Sequence, residues 1–503
     1  MTTARMHGSR QGHRPARWLT LTGLVLLVPL SPISAVAADQ QGTSVPEVSL
    51  TSESLAQEEV SGSEPSPGES SRSGQLPSLP GLYQQALSND SELSRQRYQL
   101  KSTRQEVPLA RSQLLPQVTA SGGYLYQDSS NIQTEPDEFG LDQPGQRPGE
   151  ITDDYWQLQI QQSLFSLERW RGMARADAEI GAAELDLAIV ERDLALTLSE
   201  AYVNAFTASQ KQALLEAQQS SLELQVRQAE RAYELGVGDR INVLEAHSRL
   251  DQAIADAVQA ENELNDALSQ LERLTGQIPE FGEPSLGDLP SLDLENDWAE
   301  EEALLARVDA NLDVRRAKAE QRLNHRETAV RRSGYYPELS LNLSYSDRQS
   351  EDELRTSEDY RAGVEVSMPL YRGGRTLAAV RQGELRVKAS REAVAHQRNL
   401  ATQEVRQRLR SLQGNQRRLG ALGRAIESSQ LFLEAAEKGE TLGLRDLVDV
   451  LDAKASLFDQ RIKFVDTLGQ QVLDRLALAK AVGELGTEQL DRAMRRLARL
   501  TGT

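Results

Sequence analysis

From Leu82 to Leu115 apolar residues recur at helical spacing, and Pro116 stops the run. An alternating stretch follows, with Val118, Ala120, Gly122, Tyr124 and Tyr126 on one parity and Thr119, Ser121 and Gly123 on the other. Residues 127–154 are polar and rich in Asp, Glu, Gly and Pro. Trp156, Leu158 and Ile160 then alternate with Gln157, Gln159, Gln161 and Ser163. Two period-2 runs around a polar loop predict a β-hairpin. Residues 167–235 contain no proline, and at about 1.5 Å per residue such a helix spans on the order of 100 Å. Leu187, Leu194 and Ala201 repeat every seven residues, as do Ile189, Leu196 and Val203. The two rows lie about 200° apart, so this helix has two nearly opposite apolar seams, like a stave in a wall. A buried bundle helix would show the same periodicity. The helix breaks at Gly236-Val237-Gly238-Asp239, and a second helix runs from Ile241 to Thr275 before Gly276.

The pattern then recurs. A helical stretch from Glu301 ends at Tyr335-Tyr336-Pro337. Leu339, Leu341, Leu343 and Tyr345 alternate with Ser340, Asn342, Ser344 and Ser346. Tyr360, Ala362, Val364, Val366 and Met368 alternate with Arg361, Gly363, Glu365 and Ser367. Gly373-Gly374 opens another long helix, which breaks at 439–446, and a last long helix runs from Leu447 to Val482. Tyr371 lies 206 residues after Phe165, and Asp449 and Gly483 lie 207 after Asn242 and Gly276. Pro337 lies 221 after Pro116, so the first hairpin is longer, most simply in its polar loop. The chain is an internal duplication.

The ends differ from the body. Arg5, Arg10, Arg14 and Arg17 precede an apolar run from Trp18 to Leu30, and Ala35-Val36-Ala37 fits a small-residue cleavage site. This is the layout of a secretory signal peptide over residues 1–37, too short for a spanning helix. Residues 38–80 read as a disordered acidic leader. The first repeat then occupies 81–276, with a hairpin at about 116–165 and a tip at about 236–240. An inter-repeat linker covers 277–300. The second repeat occupies 301–483, with a hairpin at about 337–371 and a tip at about 439–446, and a C-terminal segment covers 484–503.

Charge and composition narrow the class. With 56 Lys+Arg against 75 Asp+Glu the net charge is −19, which argues against nucleic-acid binding. There are no cysteines, which removes disulfides, thiolate chemistry and a lipidated N-terminal Cys. No nucleophile elbow, zincin motif or phosphate loop is present. His247, His325 and His396 each stand alone on a long helix. No enzyme activity, cofactor or metal site is expected.

Each hairpin carries one apolar and one polar face, the dyad pattern of an outer-membrane barrel. Lipid-facing positions are Tyr124, Tyr126, Trp156, Leu158, Ile160, Leu339, Leu341, Leu343, Tyr345, Val364 and Val366. Four strands cannot close a barrel around a channel, and open edges are costly in lipid. Several chains must therefore share one barrel.

In order, duplication and spacing the chain resembles the TolC family of outer-membrane efflux and secretion channels over roughly residues 82–485. The resemblance rests on Leu114-Leu115-Pro116, Gln162-Ser163-Leu164-Phe165 with Trp170-Arg171, Met368-Pro369-Leu370-Tyr371-Arg372-Gly373-Gly374, the Gly236 tip, and Gly443-Leu444-Arg445 to Val448-Asp449-Val450-Leu451-Asp452-Ala453. It implies a mainly α fold with a small β part: duplicated long-helix hairpins in a trimeric α-barrel, plus two β-hairpins per chain in a shared twelve-stranded transmembrane barrel. It implies a homotrimer in the outer membrane of a Gram-negative bacterium, with a long periplasmic extension and an equatorial collar from the linker and C-terminal segment. Its partners would be a periplasmic adaptor (membrane fusion) protein, an inner-membrane RND, ABC or MFS pump, and outer-membrane lipid.

Asp449 and Asp452 share a helix face, and in a trimer they would form rings of carboxylates, a common selectivity device. The resemblance makes them the periplasmic gate. It also suggests that Arg445 latches the second tip to the first. Asn242 stands where an acid would match Asp449, so either Asp239 or Asp446 pairs with Arg445 instead, or the closed state is less tightly held and Arg445 is an ordinary exposed arginine. Gly236, Val237, Gly238, Asp239, Gly443 and Leu444 mark the tips, and by family likeness they dock the adaptor. The competing function is a periplasmic coiled-coil adaptor or scaffold without channel activity, which would have no use for two lipid-faced hairpins. The Gln162–Trp170 stretch leans towards the secretion-linked branch.

Overall fold

The computed structural model describes residues 76–128, 150–281, 299–351 and 356–498. The expected signal peptide, residues 38–75 of the leader, 282–298 of the linker and 499–503 of the tail lie outside the described residues.

Three short helices lead into the first strand: α1 (Leu79–Asn89), α2 (Ser91–Thr103) and α3 (Glu106–Ser112). The Ser78 hydroxyl caps α1 by accepting from the Gly81 amide at 3.3 Å, so the helix begins inside the stretch assigned to the leader. The Asp90 carboxylate caps α2 through the Leu93 amide at 2.7 Å. Sequence periodicity reads this region as one helix, but the structure breaks it at Arg104–Gln105. Pro108 explains the break: it cannot donate to the carbonyl four residues back, and its ring collides there. The matching helix of the second repeat, α7 (Leu312–Ser333), has no proline and runs unbroken. It follows the short α6 (Glu301–Leu305) and a 3₁₀ turn at Val308–Ala310.

The four strands are β1 (Gln117–Asp128), β2 (Glu150–Ser166), β3 (Glu338–Ser350) and β4 (Ser357–Ser367). They form one antiparallel sheet in chain order. Leu158 pairs with both Ala120 and Tyr345, Ile160 with Val118 and Leu343, and Leu341 with Val364. The apolar parities of all four strands therefore share one face, and the Gln, Ser and Asn residues share the other. A bulge falls between Ser163 and Phe165, where Leu164 is the extra residue. The strands reach further than their composition suggests. Gln127, Asp128 and 150–154, read as loop, are paired in the ladder, with Tyr126 opposite Thr152 and Tyr124 opposite Asp154. Cross-strand pairing outweighs their low β-propensity.

Two very long helices leave the sheet: α4 (Leu167–Glu234) and α8 (Arg375–Thr441), of 68 and 67 residues. Each turns back into a partner, α5 (Arg240–Thr275) and α9 (Leu447–Ala481). Both seams of α4 are covered where it meets its neighbours: Leu194, Ala201 and Val203 are buried. α5 carries a buried alanine at every seventh position, Ala246, Ala253, Ala260 and Ala267, and the first two cluster with Leu222 and Val226 of α4 and Leu447 and Leu451 of α9. The main core gathers Leu198, Tyr202 and Phe206 of α4 with Leu271, Leu468 and Leu476. α10 (Thr487–Ala498) closes it with Leu490, Ala493 and Leu497. The Tyr202 hydroxyl donates to the Pro77 carbonyl at 2.8 Å, and burial pushes its pKa up. Among the described residues no helix is long and apolar enough to cross a membrane.

Glycine marks a further difference between the halves. α4 has none between Gly181 and its end, and α5 has none at all, whereas α8 carries Gly414, Gly420 and Gly423. Each costs about 1 kcal/mol relative to alanine in a helix interior.

Candidate functional site

The two helix turns furthest along the chain from the strands are built alike. Gly236 takes φ +74° and Gly443 φ +69°, a conformation only glycine adopts freely. In the first tip the amides of Val237 and Gly238 both donate to the Ala232 carbonyl, at 3.0 and 2.9 Å. In the second, the Leu444 amide donates to the Gly439 carbonyl at 2.8 Å. These bonds satisfy the last carbonyls of α4 and α8. Asp239 caps α5 by accepting from the Ile241 amide at 3.2 Å, whereas Asp446 makes no such side-chain bond to α9. The tip residues Val237 and Leu444 are 81% and 77% exposed, flanked by exposed Leu235, Ile241, Leu244 and Leu442. Both tips thus present a cluster of exposed apolar side chains.

Asp449 and Asp452 lie one and two turns into α9. From the turn before α9, Arg445 Nη1 reaches Asp449 Oδ2 at 3.2 Å, and its stem lies over Gly439, where a Cβ would sit 2.7 Å from Arg445 Cγ. Arg445 is thus folded back onto its own hairpin. Among the described residues its ion-pair partner is Asp449 rather than Asp239 or Asp446. The tie between the hairpins runs the other way. Arg249 of α5 donates from Nη2 to Asp452 Oδ1 at 2.7 Å and from Nε to Glu245 Oε1 at 2.9 Å. The Glu245 bond, helped by the Asp452 charge, holds the Arg249 pKa above its ordinary value. A second tie is Lys454 of α9, whose Nζ lies 3.1 Å from Ser221 Oγ of α4 and 3.4 Å from Glu437 of α8.

Arg249, Glu245 and Lys454 were not singled out by sequence. Glu245 and Arg249 sit four apart, the spacing of a paired helix face, but nothing marks a partner 203 residues away.

Above the helices, the apolar face of the sheet exposes Val118, Tyr124, Tyr126, Trp156, Tyr360, Val364 and Val366. Trp156, Tyr345 and Tyr360 stack across β2, β3 and β4, with ring centroids 4.8 and 4.6 Å apart. The outer edges of β1 and β4 have no partner strand among the described residues.

A sheet with one apolar face, two open edges and two helical hairpins on the order of 50 Å long below it defines a subunit of a channel assembled from several chains. Residues 82–277 and 305–484 match the profile of the outer membrane efflux proteins, and the chain belongs to that family. It is 26% identical over 420 residues to outer membrane protein TolC of Vibrio cholerae, covering 82% of this chain and 92% of that protein. It is 27% identical over 392 residues to the alkaline protease secretion protein AprF of Pseudomonas aeruginosa, covering 75% and 78%. Among solved structures it superposes on the outer-membrane channel OprN with a TM-score of 0.68 at 21% identity, covering 82% and 91%. The open state of the Neisseria gonorrhoeae MtrE channel gives 0.63 at 19%, covering 84% and 94%. The structural likenesses carry the fold, and the family makes this chain an outer-membrane export channel of the efflux and type I secretion class.

Proposed function

We propose that three copies of the chain form a passive exit duct through the periplasm and the outer membrane, fed by an inner-membrane pump through a periplasmic adaptor. The observation that carries the reading is the four-stranded sheet with one continuous apolar face and two unpaired edges. In lipid those edges must pair, and β4 of one copy against β1 of the next closes a barrel of twelve strands. The long helices then stand side by side beneath it as an α-barrel. Nothing in the family fold supplies transport energy, so the pump does.

The closed end is the tip of the second hairpin, α8/α9. Asp449 and Asp452 of three copies ring the aperture there and favour cations. The Arg249–Asp452 and Lys454–Ser221 ties hold that hairpin against the first. Adaptor docking on the exposed Val237 and Leu444 tips opens the duct by binding the untied arrangement more tightly than the tied one. Cargo includes secreted polypeptides, a reading supported by the likeness to a protease secretion protein.

The test is single-channel conductance of the purified protein in a planar bilayer, beside an Asp449→Ala/Asp452→Ala variant. Small cation-selective openings that widen or lose selectivity in the variant are expected. Openings identical in both would remove the gate from these residues, and trimers that insert without any conductance in either would favour the scaffold reading.

A further inference from the structure

The second hairpin contains glycines that its own packing does not require. An ideal Cβ at Gly414 or Gly423 meets nothing within 4 Å, and one at Gly420 meets Arg424 Nη1 at 3.9 Å. Alanine would fit at all three and would make a better helix. The duplication provides the control. At the same places in α4, 206 residues earlier, stand Ala208, Leu214 and Ala217, and a shift of one residue brings Thr207, Ala213 and Glu216. Close approach of one neighbouring helix does not account for the set. Gly414 and Gly423 are nine residues apart, which places them about 180° from each other around the helix.

Their position along the hairpin is specific. Around Gly414 and just above Gly420 and Gly423, α8 is fastened to α9 through Asp474, which is 2% exposed. Its carboxylate accepts from Arg408 Nη1 and Asn415 Nδ2, both at 3.0 Å, and from Gln470 Nε2 at 3.3 Å. The antiparallel register set by the Asn415–Asp474 bond puts Gly420 level with Gly469 of α9. There α4 comes so close that a Cβ on Gly469 would meet Thr207 Cγ2 at 2.6 Å and Val203 Cγ1 at 3.2 Å. A fixed level is followed immediately by a soft one. Below it, polar ties to the first hairpin include the Arg249–Asp452 and Lys454–Ser221 pairs, near the tip.

We propose that Gly414, Gly420 and Gly423 form a hinge about which the lower α8/α9 hairpin swings while the upper part stays fixed. From Gly423 to Leu442 is 19 residues, roughly 28 Å of helix, so a bend of about 10° carries the tip roughly 5 Å. This rests on the reading of the second hairpin as the moving element, and it adds where the movement originates.

The chain has no cysteine, so single labels can be placed cleanly. Nitroxides on Gln407→Cys, above the glycines, and Lys438→Cys, below them, report distances across full-length trimers by pulsed electron resonance. In Arg249→Gln trimers, where the tie to α5 is gone, the distribution at position 438 is expected to be broad and that at 407 narrow. The Gly414→Ala/Gly420→Ala/Gly423→Ala variant is expected to narrow the distribution at 438 roughly twofold and to lower opening frequency roughly tenfold, with the heat resistance of the trimer kept or raised. Equal widths at 407 and 438, or a width at 438 unmoved by the alanines, would overturn the hinge. A fall in trimer heat resistance would also overturn it, because the glycines would then be seats for a neighbouring copy. The label distances need no current, so failure of the carboxylate gate leaves this readout intact.

Discussion

The two hairpins descend from one repeat and differ in what their side chains allow. In the first, α5 carries the buried alanine row Ala246, Ala253, Ala260 and Ala267, with no glycine in the lower helices. α8 and α9 meet through a buried carboxylate, Asp474, at the position that matches Ala267, and α8 carries Gly414, Gly420, Gly423 and Gly439 from that level to its end. The first tip is capped by Asp239, and the second has no side-chain cap. The backbone course is the same in both: the 36 residues of α5 correspond to the 35 of α9, and the positive-φ glycines of the tips coincide. Duplication thus preserved the shape while side chains divided the work. One hairpin is a close-packed wall, and the other is a rod pinned at one level and soft below it.

The sharpest way to break this contrast is to remove the pin. Asp474→Ala leaves Arg408 and Asn415 facing a buried site without their acceptor. Because Arg408 is one-third exposed, losing this acceptor costs about 1–3 kcal/mol rather than the full cost of a buried ion pair. The unfolding free energy from urea titration should fall by that amount, and trimers should lose heat resistance. A loss under about 1 kcal/mol would mean that Asp474 does not fasten α8 to α9, and the contrast with Ala267 would lose its meaning.

Most of the architecture was legible in the sequence because it is periodic. Alternation gave the strands and their faces, seven-residue rows gave the long helices, and equal offsets gave the duplication. What escaped was set by single residues or by distant pairs. Pro108 splits α2 from α3, yet its effect is hidden inside an otherwise helical pattern. Residues 150–154 look like loop and pair as strand, because β1 and β3 flank them. The resemblance makes Arg445 a latch to the first tip; within the chain its nearest carboxylate is Asp449, four residues on, and Gly439 leaves a bed for its stem. The tie at Arg249 joins residues 203 apart, and one sequence holds no period that could reveal it.

Arg249→Gln sharpens the comparison at the tips. Arg249 and Asp452 have side chains 35% and 58% exposed, so solvent screening limits their worth to folding. The unfolding free energy should change by less than about 1 kcal/mol. The conductance of single trimers should nevertheless rise, because the pair bridges the two hairpins rather than two turns of one helix. Arg445→Ser, which breaks a pair within the second hairpin, should leave closure nearly unchanged. If Arg445→Ser opens the duct and Arg249→Gln does not, the tie lies between neighbouring copies and not within the chain.

The smallest effect is expected where the hairpins touch through charge. Lys211 of α4 lies 2.8 Å from Glu263 of α5, and that bond holds the Glu263 pKa below the ordinary carboxylate value. Asp466 of α9 sits near both and is left without the lysine. Burial, opposed by Lys211 and reinforced by Glu263, pushes its pKa up. A raised carboxylate pKa means that the folded chain binds a proton more readily than the unfolded one. Between the ordinary carboxylate value and the raised one, this group therefore adds stability as pH falls and costs stability as pH rises. Glu263 has the opposite sign: its contribution is present above the ordinary carboxylate value and is lost as pH falls through the lowered one. Asp466→Asn should then raise the unfolding midpoint slightly at pH 7, with the gain shrinking towards pH 4, while Glu263→Gln should lower it at pH 7. A gain from Asp466→Asn that is equally large at both pH values would point to packing rather than charge. The second hairpin would then be no worse placed electrostatically against the wall than the first is within it.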